Sequence, residues 1–237
     1  MTKLSVNINK FATLRNARGG NNPDLEVITR AVQTFGADGV TVHPRPDERH
    51  IRYQDARDLK TVVYAEYNIE GNPQHNFIDL VLECKPTQVT LVPDAIGALT
   101  SNAGWDTLKH QSYLMEVIQE FQRNGIRTSI FVDADEKMIE GAKATGTDRI
   151  ELYTESFAHD YGLGNFAGIE PFIRAAHRAN ELQLGINAGH DLSLDNIKFF
   201  KENIPNLLEV SIGHALISES LYLGLENVVN MYLQKLK

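Results

Sequence analysis

A single cysteine in 237 residues, Cys84, excludes an intrachain disulfide. It shares a helical stripe with Phe77, Leu80 and Val81, which predicts a buried and inert thiol. No apolar run is long enough to span a bilayer. The start, Met1-Thr2-Lys3-Leu4-Ser5-Val6, passes straight into a strand-like run with no apolar leader segment. A cytoplasmic protein is the expectation. Positive charge is scarce as well: 23 Lys and Arg stand against 31 Asp and Glu, a formal net charge of −8. That balance argues against nucleic acid or an anionic membrane as a partner. An anionic small molecule remains admissible if a pocket gathers positive charge locally. Low-complexity stretches, Pro/Gly/Ser-rich linkers and long charge runs are also missing, so residues 1–237 read as one domain. The hydrophobic content of 42% and charged content of 23% are those of an ordinary globular protein.

What is present is an alternation of short β-rich runs with amphipathic helical patterns, the signal for βαβ units and a parallel sheet. Strands are predicted at Leu4–Ile8, Gly39–His43, Val62–Tyr67, Gln88–Val92, Arg127–Val132, Arg149–Tyr153, Leu184–Asn187 and Leu208–Ile212. Between them, Asn22-Pro23 signals the start of a helix with Leu25, Ile28, Val32 and Phe35 on its apolar face. Other helical faces are Leu114, Ile118 and Phe121; Met138, Ile139 and Ala142 behind a cap at Asp133 or Asp135; and Phe166, Ile169, Ile173 and Ala176. Ser193 is predicted to cap a helix carrying Leu194 and Ile197, and Leu221–Leu236 to form the last helix. Between strands two and three only Gln54–Leu59 offers a helix. Eight strand–helix pairs in this length predict an α/β protein, a (β/α)8 TIM barrel with extra short helices. An open doubly wound sheet is the runner-up, but Ala17-Arg18-Gly19-Gly20-Asn21 lacks the spacing of a dinucleotide-binding turn.

In such a barrel the active site lies at the C-terminal ends of the strands, and the polar residues converge there. Asn7 and Asn9 end strand one; His43-Pro44-Arg45, with His50 behind, ends strand two; Glu66, Asn68 and Glu70 lie along strand three. Asp94 and Thr100 follow strand four, Asp133 ends strand five, and Glu151 sits inside strand six. Asn187-Ala188-Gly189-His190-Asp191 ends strand seven and Ser211-Ile212-Gly213-His214 ends strand eight. His75, His110, His159 and His177 fall elsewhere and read as surface or packing residues. A single strand-end histidine serves equally well as a structural hydrogen-bonder, and Glu151 alone reads equally as half of a buried ion pair. It is the convergence that favours function. Gly213-His214-Ala215 opens a helical segment, Leu216–Leu221, whose free N–H groups suit a phosphate. Arg45 with His50 and Thr100 suits a second, since Arg forks onto phosphate and an anion favours protonated His. Arg18 is within reach of either. Glu70, Glu151, His43 and His190 offer acid–base chemistry if burial tunes them toward neutrality. A metal site from His43, His190, His214 and Asp133 has no diagnostic spacing.

Several longer motifs carry a resemblance. Val6-Asn7-Ile8-Asn9-Lys10-Phe11-Ala12-Thr13-Leu14-Arg15-Asn16-Ala17-Arg18-Gly19 and Thr41-Val42-His43-Pro44-Arg45-Pro46-Asp47-Glu48-Arg49-His50-Ile51 resemble motifs of the pyridoxine 5′-phosphate synthase family. So do Asn68-Ile69-Glu70, Asp133-Ala134-Asp135-Glu136, Ile150-Glu151-Leu152, Asn187-Ala188-Gly189-His190 and Ile212-Gly213-His214-Ala215, in order along essentially the whole chain. The resemblance implies condensation of 3-amino-2-oxopropyl phosphate with 1-deoxy-D-xylulose 5-phosphate, release of phosphate and water, and no metal or organic cofactor. It implies His43 and Glu70 as proton acceptors, His190 as proton donor and Glu151 as a further active-site carboxylate. It assigns Asn7, Arg18, Gly213 and His214 to the aminoketone phosphate, and Arg45, His50 and Thr100 to the deoxyxylulose phosphate. It also implies a homo-octamer.

The chain departs from the commonest pattern of that family at Asn9-Lys10, where Asp-His is usual, and at Asp191, where Gly is usual. Lys10 keeps a donor for the deoxyxylulose substrate. Asp191 is expected to meet the aminoketone phosphate only through its backbone N–H, with its carboxylate turned away. Two other classes remain open from the residues alone: a metal-dependent pentose-phosphate epimerase and a barrel that only binds phosphometabolites. Tyr113, Phe199, Phe200, Tyr222 and Tyr232 are the outer-helix aromatics from which a subunit contact is expected.

Overall fold

Polar and apolar residues alternate along the strands: Lys3-Leu4-Ser5-Val6-Asn7, Glu66-Tyr67-Asn68-Ile69-Glu70, Arg149-Ile150-Glu151-Leu152-Tyr153. Successive side chains of a strand point to opposite faces, so each run has one polar and one apolar face. In the computed structural model, which describes residues 1–94 and 103–237, eight such strands close into a barrel in chain order. They are β1 (Lys3–Asn7), β2 (Gly39–Val42), β3 (Glu66–Gly71), β4 (Gln88–Leu91), β5 (Arg127–Val132), β6 (Arg149–Tyr153), β7 (Gly185–Gly189) and β8 (Leu207–Ile212). Every neighbouring pair is parallel, and β8 pairs with β1 to close the ring.

The apolar faces turn outward. Val6, Val40, Ile69, Val89, Ile130, Ile150, Ile186 and Val210 are fully buried beneath the helices. Against them lie α2 (Leu25–Thr34), α3 (Tyr53–Leu59), α4 (His75–Cys84), α5 (Gln111–Arg123), α6 (Glu136–Ala144), α8 (Glu170–Glu181), α9 (Ile197–Asn203) and α11 (Leu225–Lys235), within which Val32, Leu80, Ile118, Ile139, Ala176, Phe200 and Tyr232 are buried. The extra short helices are α1 (Asn9–Asn16), α7 (Glu155–Gly162) and α10 (His214–Leu223). Cys84 is buried in this annular core, as expected.

The polar faces turn inward and hydrogen-bond across the lumen. Ser5 meets Thr41 at 2.7 Å, Thr90 donates to Asn68 at 3.1 Å, and Arg127 donates to Gln88 at 2.9 Å. A buried polar group left unpaired costs about 1–3 kcal/mol, so these bonds are what make a polar lumen tolerable in place of the usual branched aliphatics.

Several local expectations change. The third strand is Glu66–Gly71, not Val62–Tyr67, because Val62 and Val63 close the turn after α3 by bonding back to Leu59. The cap of α2 is Asp24, whose carboxylate accepts from Glu26 and Val27 N–H, not Asn22. Ser193 does not cap α9: its N–H donates to the Asn196 side chain in a turn, and the helix begins at Ile197. Phe166 and Ile169 form a short 3-10 turn that leads into α8. Gly224, at φ +83°, breaks the tail into α10 and α11, and α10 begins earlier than expected, at His214. Phe200 and Tyr232 are core residues rather than contact residues.

Candidate active site

The C-terminal ends of the strands surround a cavity of about 670 Å³ lined by Asn7, Asn9, Lys10, His43, Arg45, His50, Glu70, Glu151, His190, Asp191, Gly213 and His214. Of the fourteen candidate site residues, twelve line this cavity; Thr100 lies outside the described residues, and Arg18 is not on the wall.

Two carboxyls form the floor. Glu70 ends the inward face of β3 and accepts a 3.4 Å hydrogen bond from the Asn7 amide. Burial first, then the neighbouring Glu151, pushes Glu70 well above the ordinary carboxylate range. Glu151, on β6, is pushed up to about 8 by burial and by Glu209 below it. Two acids that resist ionisation at neutral pH, in one cavity, are the arrangement from which a base and a proton store are made. Gly189 on β7 makes room for this: a Cβ there would stand 3.0 Å from Glu151 Oε1 and 2.5 Å from the Ser211 carbonyl oxygen.

His43 and His50 form one wall, their rings edge to face at 6.1 Å. The His43 backbone N–H donates to Asn9 Oδ1 at 2.9 Å, which ties β2 to the first turn of α1. Asn9 therefore spends its carbonyl oxygen on the fold. Burial, then Arg45, holds His43 well below its ordinary value, so it is a neutral imidazole able to accept a proton. His50 is lowered to about 4 by burial, Arg45 and Lys10. Its Nδ1 accepts the Ile51 N–H at 2.9 Å, which leaves the proton of the neutral ring on Nε2. His50 is thus a neutral donor, kept so by burial first and then by the cations around it.

Basic groups concentrate on this wall. Lys10, Arg45, Arg49 and His50 all line it. Arg45 is paired with the buried carboxylate of Asp94, which fixes its guanidinium. The N-terminus of α10 lies beside this wall, since β8 pairs with β1; a Cβ on Gly213 would come within 3.2 Å of the Asn7 side chain. A helix N-terminus and a cluster of basic groups line the same cavity as the acid pair, which gives an anion two seats.

The chain matches the family model of Pyridoxal phosphate biosynthesis protein PdxJ over residues 4–237. It belongs to that family. It is 80% identical over 237 residues to the pyridoxine 5′-phosphate synthase of Flavobacterium johnsoniae, and 67% identical over 237 residues to that of Christiangramia forsetii, with both chains of each pair covered completely. Among solved structures it resembles a thiamine phosphate pyrophosphorylase from Pyrococcus furiosus, at TM-score 0.65 and 13% identity over 99% of this chain and 95% of that one. It also resembles phosphoribosylanthranilate isomerase from Thermotoga maritima, at TM-score 0.61 and 13% identity over 100% and 98%. Those likenesses concern the barrel alone.

Within this member of the family, one expected position lies elsewhere. Arg18 follows α1, is exposed and does not line the cavity. The Asp191 carboxylate meets His190 Nδ1 at 2.7 Å, while its N–H points to Gly189 O at 3.0 Å and Thr154 Oγ1 at 3.3 Å. Sequence reasoning missed Arg49 and Phe131 on the cavity wall and gave Ser211, placed at the rim, no role. Ser211 had a signal, since it precedes Gly213 on the inward face of β8. Glu66 moves the other way: it lies at the N-terminal end of the barrel, bound to Lys3 and Arg127.

Proposed function

We propose that the protein condenses 3-amino-2-oxopropyl phosphate with 1-deoxy-D-xylulose 5-phosphate to form pyridoxine 5′-phosphate, with release of phosphate and water. The observation that carries this is the set of buried Glu70, Glu151 and His43 with half-buried His190 in one cavity that also holds a helix N-terminus and a basic cluster. The names of its relatives support the same reaction. His43 as the neutral imidazole and Glu70 in its ionised form take protons from the substrate carbons and nitrogen, and His190 gives a proton to an oxygen leaving as water. Glu151, protonated over much of the neutral range, donates a hydrogen bond to substrate and buffers Glu70. The aminoketone phosphate sits at Asn7, Gly213 and His214, with Arg18 closing from outside; the deoxyxylulose phosphate sits at Arg45 and His50, with Lys10 and Thr100 beside it.

A metal-dependent epimerase is less well supported. Among the described residues no three His, Cys, Asp or Glu side chains are grouped to hold a metal. Mixing the two substrates with pure protein and following pyridoxine 5′-phosphate tests the proposal; no product at saturating concentrations of both sinks it. Activity is expected to survive exhaustive chelation, and a loss restored by a divalent ion favours the epimerase class. The assembly is proposed to be a homo-octamer. The support is apolar surface on the outer helices: Leu221 and Tyr222 on α10 are 76% and 88% exposed, and Phe166 is 53% exposed. Light scattering at micromolar concentration that returns the 26.5 kDa monomer rejects it. Among the described residues no helix is long and apolar enough to cross a membrane, and the cytoplasm is the proposed location.

A further inference from the structure

Adjacent side chains on a strand point to opposite faces, yet His190 and Asp191 meet each other. The reason is the backbone. β7 ends at Gly189, and His190 adopts φ +71°, the left-handed region that costs a side-chain-bearing residue. The chain reverses there, and the Asp191 N–H turns back toward Gly189 O at 3.0 Å. The fully buried Thr154 clamps the reversal: its hydroxyl donates to Gly189 O and accepts from the Asp191 N–H. Asn196 holds the far side, donating from Nδ2 to the Asp191 carbonyl oxygen at 3.4 Å. The result is an Asp191 carboxylate 2.7 Å from His190 Nδ1, with the Tyr153 ring edge-on to the imidazole at 5.6 Å.

We infer that Asp191 is a positioning residue for His190, not a ligand of the substrate phosphate: its carboxylate holds the Nδ1–H tautomer and assigns proton exchange with substrate to Nε2. The inference rests on the reaction proposed above. The proton balance is consistent. When the substrate C–O bond breaks, its electron pair goes to oxygen, which takes the Nε2 proton of an imidazolium and leaves as water. The neutral ring that remains carries its proton on Nδ1, the tautomer that the carboxylate accepts from. An imidazole without this partner is free to leave its proton on Nε2, and to rotate away from the cavity it lines. The carboxylate is thereby occupied by a donor, which removes the conflict between an acidic residue and an anionic substrate at the same rim.

The test compares wild type with Asp191→Ala, Asp191→Asn and Asp191→Glu. Asn is the near-isosteric variant that guards against a failure to fold, since it keeps an acceptor and the turn. Two-bond ¹H–¹⁵N spectra of ¹⁵N-histidine-labelled protein are expected to show neutral His190 protonated on Nδ1 in wild type, and a mixture or the Nε2–H form in Asp191→Ala. Under saturation with both substrates, Asp191→Ala is expected to lose roughly 10- to 100-fold in kcat with little change in either KM, the scale expected for loss of a residue that orients a catalytic imidazole, and Asp191→Glu to recover part of it. An Nε2–H ring in wild type overturns the inference. So does wild-type kcat in Asp191→Ala, or a raised KM for the aminoketone phosphate at unchanged kcat, which returns Asp191 to substrate binding. Failure of the wild type to make product leaves the spectra readable, so the two proposals fail separately.

Discussion

Glu66 and Glu70 lie on the same strand and the same inward face, four residues apart, and have opposite fates. Burial pushes both upward. At Glu66, Arg127 and Lys3 outweigh burial and hold the carboxyl below its ordinary value. At Glu70, the strongest neighbour is another carboxyl, Glu151, and the shift is upward. The N-terminal end of the lumen is thus a charge-matched plug, with Arg127 and Arg149 set among Glu66 and Glu209. The C-terminal end keeps acids together and puts its cations on the wall. The same residue type builds stability where its partner is a cation and reactivity where its partner is an acid.

The sharpest way to break that comparison is to neutralise each glutamate. Glu70→Gln is expected to lower turnover by roughly 10⁴-fold, at the upper end for loss of a general base, with thermal stability equal to or above wild type because a disfavoured buried acid is gone. Turnover near wild type removes Glu70 from the mechanism. Arg45→Ala comes next. It removes a fork from the basic wall and leaves Asp94 buried with one cation fewer, so KM for the deoxyxylulose phosphate is expected to rise about 30- to 1000-fold, as for truncation of one member of a buried pair. A fall in kcat at unchanged KM contradicts that assignment.

These sites were unequally legible. The barrel could be read from eight β-rich runs and their spacing, and the rim residues followed from strand polarity alone. The polar lumen was equally present, in alternations such as Gln88-Val89-Thr90-Leu91, but a β-rich run by itself does not say which of its two faces turns inward. Glu66 was placed at the rim because the third strand was set four residues too early, and a strand boundary is invisible where Val62-Val63 carries β propensity into a turn. The pairing of Asp191 with His190 was hidden for a different reason. Side-chain direction after a strand depends on the backbone, and nothing in Gly189-His190-Asp191 announces a left-handed histidine. Arg18 lies beyond a helix, α1, that was not foreseen, and that helix sets where it points.

Glu66→Gln is the converse experiment at the other end of β3. It leaves Arg127 and Lys3 facing a neutral amide, and a destabilisation of roughly 1–3 kcal/mol is expected for a partly buried pair. The kinetic constants are expected to stay within about twofold, since surface or structural changes away from the chemistry carry little transition-state binding. A large loss of kcat with an intact melting curve says that the plug tunes Glu151 through Glu209, and the two ends are one electrostatic unit.

The smallest effect is a pH dependence of stability in the substrate-free protein. Glu151 and Glu209 are raised from an ordinary 4.5 to about 8 and about 7. A raised acid favours the folded state while protonated, so its contribution is complete below pH 4.5 and is lost as pH rises through the folded value. His43 and His50 are lowered from 6.5, so their contribution runs the other way, lost as pH falls below 6.5. The two trends oppose each other between 4.5 and 6.5, and only the acids act between 6.5 and 8. In that upper window the folded state retains about one proton more than the unfolded chain, so unfolding free energy is expected to fall by roughly 1–2 kcal/mol. Denaturant melts at the two ends of the window measure it, and Glu151→Gln and Glu209→Gln are each expected to flatten the slope. A slope that stays flat in wild type shows that Glu151 and Glu70 at the C-terminal end ionise as easily as Glu66 in the plug, and removes the contrast between Glu66 and Glu70.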